Sequence, residues 1–255
     1  MSSTNNISFL ILVLLQVLVV LHTNYVKVNV GANQGTPAQF ILPESLARAR
    51  SGVIGTAVSR IAPGSEKRIS LPDIQPHHSQ YYAQWLYTGR VFILEPDRVL
   101  PGRLGHRYYE MEEHARWGHH LKVATELRDI DFQDALTDAI IEWINEFREG
   151  FDRRHGEMLA FRIDRDLSPD SPARRVPIEA SIKYWRTREF KDLSLVHLKG
   201  PEWFVQGLFA ELVPFVGSTA VSRKSIAFPK DLSQTCDYHE HTRLGRPCYK
   251  SPLPL

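Results

Sequence analysis

Apolar and polar positions first alternate over Tyr25-Val26-Lys27-Val28-Asn29-Val30, where valine recurs at every second residue, the pattern of a strand with one buried face. The turn-rich stretch from Gly31 to Pro37 follows. Ala38 to Leu42 then resumes the extended pattern, which predicts a hairpin. Pro43 and Glu44 suit the first turn of a helix, because proline loses no needed N–H there and an acid meets the positive end of the helix dipole. Ser51 is placed to cap a second short helix with Val53, Ile54 and Ala57 on one face. Ala62-Pro63-Gly64-Ser65 breaks that helix, and Lys67 to Leu71 reads as a third strand. A helix is predicted from Pro76 to Thr88, with Gly89 as its terminating glycine. Tyr81, Tyr82, Trp85 and Leu86 form its apolar stripe, which reads as core rather than as a ligand-stacking strip; His77-His78 reads as solvent-facing.

The clearest helical period lies further on. Phe132, Ala135, Leu136, Ala139, Ile140, Trp143, Ile144 and Phe147 follow the i, i+3, i+4, i+7 rule. Such a face needs a partner, and Trp117 to Leu127 is the natural one, with Asp129 or Asp131 as the N-cap. From Arg90 to Glu113 the apolar period is lost: Val91-Phe92-Ile93-Leu94 could be a short strand, and the residues after it read as loop. A Pro/Ser break at 167–172 precedes helical stretches at Val176 to Leu198 and Glu202 to Leu212, and the last forty residues read as irregular and polar.

Charge is nearly balanced, with 31 Lys+Arg against 29 Asp+Glu, and no basic run stands out, so a nucleic-acid footprint is not expected. Residues 1–24 are different in kind. Ile7 to Leu21 is apolar except for Ser8 and Gln16, shorter than the roughly 20 residues a bilayer span needs and close to the length of a signal-peptide core. No Lys or Arg precedes it and no small-x-small cleavage site follows it. It reads as a signal, an anchor or a buried segment ahead of the domain start. Membrane contact is expected only if it is a true signal or anchor.

No Gly-Lys-Ser/Thr phosphate loop, G-x-S-x-G elbow or H-E-x-x-H helix occurs, so no enzymatic activity is expected. His155-Gly156-Glu157 mimics the H-x-E of zinc deaminases, and Pro247-Cys248 supplies half of the matching P-C-x-x-C. Ser251 stands where the second thiolate would be required. The scattered Asp and Glu residues read as solvated helix faces. The tail carries more chemistry. Cys236, His239, His241 and Cys248 offer two thiolates and two imidazoles within one short stretch, a donor set that tetrahedral zinc accepts. The same residues fit an inert tail with free cysteines, or a Cys236–Cys248 disulfide in a secreted protein.

Three stretches resemble the BTB/POZ family, and its fungal group in particular. Phe40-Ile41-Leu42-Pro43-Glu44-Ser45-Leu46-Ala47-Arg48-Ala49-Arg50-Ser51-Gly52-Val53-Ile54 resembles the family's hairpin-to-helix segment, although Pro43 stands where the family has histidine. Ile69-Ser70-Leu71-Pro72-Asp73 with Tyr82-Ala83-Gln84-Trp85-Leu86-Tyr87-Thr88-Gly89-Arg90 resembles its "LP-D … Y-x-x-W-L-Y-T-G" stretch. Gly118-His119-His120-Leu121 with Asp131-Phe132-Gln133-Asp134-Ala135-Leu136-Thr137-Asp138-Ala139-Ile140-Ile141 resembles its helix pair. The fold this implies is α+β: a BTB/POZ-like small sheet capped by a helical cluster, followed by a helical C-terminal extension.

The expected organisation is an apolar segment over 1–24, a BTB/POZ-like domain with its trailing helix pair over 25–147, a helical extension over 148–235 and a Cys/His-containing tail over 236–255. The resemblance implies a protein–protein interaction adaptor or scaffold, with a cullin-type ubiquitin ligase or a second copy of the chain as partner. A cytoplasmic or nuclear location goes with that reading. The competing expectation is a secreted or membrane-tethered protein that uses its N-terminal segment as a signal.

Overall fold

Val26, Val28 and Val30 are buried along one face of β1 (Tyr25–Val30), and the small sheet is built around that strand. In this computed structural model, which describes residues 24–35, 37–91, 103–185, 190, 200–213 and 228–251 (side chains within 103–127 from 115 onward), β1 is the central strand. It pairs antiparallel with β2 (Ala38–Pro43), Val28 opposite Phe40, and parallel with β3 (Arg68–Leu71), Val28 opposite Ile69. The hairpin turns on Gly31 and Gly35, whose φ angles of 75° and 72° lie in the left-handed region that glycine enters without steric cost. Two compact units are present, 24–91 with Val123–Phe132, and 103–122 with 133–251.

In the first unit, α1 (Glu44–Arg50) and α2 (Gly52–Ser59) are joined at Ser51. The Ser51 hydroxyl oxygen accepts from the Ile54 N–H at 3.1 Å and donates to the Leu127 carbonyl at 2.8 Å, so one cap also ties in the C-terminal end of the helix that finishes at Leu127. The buried face of α2 is Ile54 and Val58, not Val53, Ile54 and Ala57 as the sequence predicts. The helix α3 (Pro76–Thr88) starts on proline and ends on Gly89 at φ 65°, as its residues require. Tyr82, Trp85 and Leu86 are buried, and the Phe132 ring lies 5.3 Å from Tyr82 and 5.0 Å from Trp85. His78 is also buried, at 7% exposure, which corrects the solvent-facing expectation for the His77-His78 pair; His77 alone is exposed.

Helix α4 (Arg103–Leu127) begins well before Trp117, so the stretch to Glu113 that reads as loop is helical from Arg103 onward. That stretch is rich in helix formers but has no apolar stripe, so a reading based on hydrophobic period passes over it. The helix α5 (Ile130–Glu146) follows, capped by Asp129, whose carboxylate accepts from the Phe132 N–H at 3.0 Å. In the second unit the Trp117 indole N–H donates to the Leu136 carbonyl at 2.7 Å, which registers α4 on α5. The helix α6 (Arg153–Asp166) packs on α7 (Arg175–Tyr184), and α7 in turn on α8 (Glu202–Leu212). Of the helical stretch expected over Val176 to Leu198, α7 accounts for the part up to Tyr184 and Phe190 is again helical; residues 186–189 and 191–198 lie outside the described residues.

The architecture is α+β, a three-stranded sheet with many helices. The expected strand at Phe92-Ile93-Leu94 and the apolar run of residues 7–21 lie outside the described residues. No helix among the described residues is long and apolar enough to cross a membrane.

Candidate metal centre

The face of α5 opposite its apolar stripe is not solvated. Gln133, Asp134, Thr137, Asp138 and Ile141 are all buried, Asp134 at 0% and Asp138 at 2% exposure. This overturns the expectation that the acids of this helix form a wet face. The C-terminal tail covers the two aspartates, and it is packed rather than irregular: short turns at Leu232–Gln234 and Cys236–Tyr238 lead into α9 (Glu240–Leu244), closed by Gly245 at φ 63°.

Asp134 and Asp138 lie one helical turn apart and so point the same way. Each takes one histidine of the tail. His241 Nδ1 lies 2.6 Å from Asp134 Oδ2, and the backbone N–H of Glu240 donates to Asp134 Oδ1, also at 2.6 Å. His239 Nε2 lies 2.8 Å from Asp138 Oδ1. Asp138 also accepts from the Thr235 and Tyr249 hydroxyls and forms an ion pair with Lys250 at 2.7 Å. Burial works to raise both carboxyls. At Asp134 it prevails and the pKa rises. At Asp138 the His239, Lys250 and Thr235 contacts outweigh it and hold the carboxyl below its ordinary value.

These pairings decide which ring nitrogen is left over. A carboxylate only accepts, so each histidine donates through the nitrogen facing its aspartate, and the other nitrogen of a neutral ring carries a lone pair. At His239 the remaining nitrogen, Nδ1, is buried without a hydrogen-bond partner among the described residues. An orphaned buried acceptor is costly unless something occupies the space beside it.

His239 itself stands among sulfur and nitrogen donors. The donor atoms of Cys236, His239, His241 and Cys248 all lie within 4.8 Å of one another, so the four residues singled out from the sequence are brought together. The two sulfurs are 3.8 Å apart and both thiols are free, so the disulfide alternative does not describe this state. Two thiolates each about 2.3 Å from one tetrahedral ion would stand about 3.8 Å apart. The separations, all within 4.8 Å, exceed the S–N and N–N edges of such a tetrahedron, about 3.6 and 3.3 Å, by at most about 1.5 Å, a contraction that side-chain rotations supply. The cluster is a group that could bind a metal ion. The Cys236 thiol is pushed above its usual value by burial and by Cys248 beside it, and a bound cation would reverse that preference.

The other zinc-like motif resolves differently. His155 forms the capping box of α6: its backbone N–H donates to Asp152 Oδ1 at 3.2 Å, and the ring and carboxylate are 2.7 Å apart. Glu157 pairs with Arg153 at 3.6 Å. Both are helix-end features, with Cys248 engaged in the tail cluster.

Sequence reasoning found the four donors but missed Asp134 and Asp138. Their one available signal is the i, i+4 spacing of two acids on a helix of otherwise apolar pattern, and that spacing is equally common on exposed faces. Comparison with known proteins adds no family: no family model matches the chain, and no curated protein matches it.

Proposed function

We propose that this chain is a BTB-type protein-interaction adaptor whose C-terminal tail, docked on α5 through Asp134 and Asp138, is folded around one structural zinc ion. The observation that carries the zinc reading is the convergence of two thiols and two aspartate-backed imidazoles within 4.8 Å. Soft thiolates disfavour magnesium and calcium, and a two-sulfur, two-nitrogen tetrahedron favours zinc. Four protein donors leave no open position for water or substrate, so the role is to hold structure rather than to catalyse. Aspartates behind metal-binding histidines set the tautomer and strengthen the ligand, as is usual for such centres.

The adaptor reading rests on the resemblance of three stretches to BTB/POZ segments and on the element order strand, hairpin, two short helices, strand, aromatic helix and helix pair. Its partner class is a protein, with a cullin-type ligase scaffold first in line. Two measurements test the proposal. Protein purified under reducing conditions should contain about one zinc per chain, and a chelator should lower its melting temperature. The pure chain should also bind a purified cullin-type scaffold in a titration. Failure of that titration removes the ligase link, and absence of zinc removes the metal centre.

A further inference from the structure

The four donors of the tail are not equally sheltered. His239 and His241 are 0% and 5% exposed and are tied to α5, whereas Cys236 and Cys248 are only half-buried, on the outer side of the cluster. Cys248 follows exposed Arg246 and Pro247 and precedes exposed Lys250. A small oxidant in water thus meets the sulfurs before it meets the nitrogens. The sulfurs are already 3.8 Å apart, and a disulfide needs about 2.05 Å, so closure requires the two side chains to move together by less than 2 Å.

We propose that the Cys236–Cys248 edge of the centre is a redox gate that releases zinc when the two thiolates are oxidised to a disulfide by a peroxide. This deepens the zinc reading and rests on it. One thiolate attacks a peroxide oxygen, the O–O bond breaks, and a sulfenic acid and hydroxide form. The second thiolate then displaces hydroxide from that sulfur, forming the S–S bond. Two electrons pass from the two sulfurs to hydrogen peroxide; with two protons from solvent, two waters leave. The metal loses both thiolate ligands in the process and departs as the hydrated dication, since two imidazoles alone leave half of its coordination to water.

The histidines keep their aspartates throughout, because those hydrogen bonds use the nitrogens that face α5. The tail therefore remains docked while the metal leaves. The zinc-bound and disulfide alternatives that the sequence leaves open become two oxidation states of one pair of residues.

The test uses the full chain, reduced and loaded with zinc, titrated with hydrogen peroxide. Released zinc is followed with a metallochromic dye and free thiols are counted in parallel. The expected result is two thiols lost for each zinc released, a Cys236–Cys248 linked peptide by mass spectrometry, and recovery of zinc binding after treatment with a dithiol. A Cys248→His variant keeps four metal donors but cannot form the bond, and should retain its zinc at peroxide levels that empty the parent. Should that variant fail to load, the thiol-to-zinc ratio and its reversal by dithiol still decide the matter. Zinc that stays bound through peroxide, or leaves only with irreversible sulfinic acid formation, overturns the gate while the centre stands. A reduced protein without zinc overturns the centre and the gate together.

Discussion

Asp134 and His241 stand 107 positions apart in the chain, yet the His241 ring nitrogen lies 2.6 Å from the Asp134 carboxylate, and that carboxylate also takes the backbone N–H groups of Glu240 and His241. A residue of α5 thereby sets both the position and the tautomer of a candidate ligand in the tail. Replacing Asp134 with asparagine keeps the size and weakens the orienting charge. Asp134→Asn is expected to lower zinc affinity by about 10–100-fold, the usual cost of losing a carboxylate behind a metal-binding histidine. Competition against a chromophoric chelator measures this directly. Affinity unchanged within a factor of two would mean that the aspartate orients nothing that matters to the metal.

Trp85 offers a sharper contrast. Its ring packs 5.0 Å from Phe132 and 6.1 Å from Tyr82, with the Arg50 guanidinium 5.2 Å from the ring, while its buried indole N–H has no acceptor among the described residues. Removing the N–H while keeping an aromatic ring costs little, since an unpaired buried donor is itself unfavourable. Trp85→Phe is expected to change stability by less than about 1.5 kcal/mol, and Trp85→Ala to cost about 3–5 kcal/mol. Urea denaturation of the two variants should separate them clearly. Equal losses would show that the indole N–H has a partner or that the ring carries little of the packing.

Much of the first unit is legible in the sequence because its rules are local. Valines at alternate positions give β1, Ser51 caps α2, and Gly89 ends α3, each by chemistry that acts within four residues. The α5 apolar stripe is legible for the same reason, and so are the four tail donors, because cysteine and histidine are scarce. The helical start of α4 is not, because it lacks a period. The burial of Asp134, Asp138 and His78 is not legible either: each is polar, and for the two aspartates a segment more than 100 residues away decides the environment. The tail reads as irregular because its order comes from docking on α5, not from its own propensity.

Gly156 shows how small such hidden constraints can be. A Cβ there would come within 2.4 Å of the Ser181 hydroxyl and 3.0 Å of the Trp185 ring, so α6 and α7 approach at a point where only hydrogen fits. Nothing in His155-Gly156-Glu157 signals this. Gly156→Ala adds helix propensity worth about 1 kcal/mol, but the overlap should cost more, about 1–3 kcal/mol. The net expectation is destabilisation, read as a lower melting temperature. A stabilised variant would show that Ser181 and Trp185 move aside freely.

Asp129 makes stability depend on pH within the first unit. It is fully buried, caps α5 through the Phe132 N–H, and accepts from the Tyr82 hydroxyl at 2.9 Å. Burial pushes its carboxyl up to about 7; the Phe132 and Tyr82 hydrogen bonds and Arg50 oppose this, and Asp131 adds to it. The folded chain therefore holds a proton on Asp129 that the unfolded chain, with a carboxyl near 3.8, has already released. Between about pH 4 and pH 7 the folded state binds more protons than the unfolded state, so this group's contribution to stability falls as pH rises and levels off above 7. Over that window the loss is on the order of 4 kcal/mol. An asparagine side chain in its place would be uncharged at every pH and would still accept from the helix N–H groups. Asp129→Asn is thus expected to gain stability relative to the parent as pH rises from 5 to 7, by on the order of 2 kcal/mol. Denaturant titrations of both proteins at several pH values give the difference directly, with the other ionisable groups cancelling. A difference that does not change with pH would place the Asp129 carboxyl in the ordinary range and remove the pH dependence assigned to it.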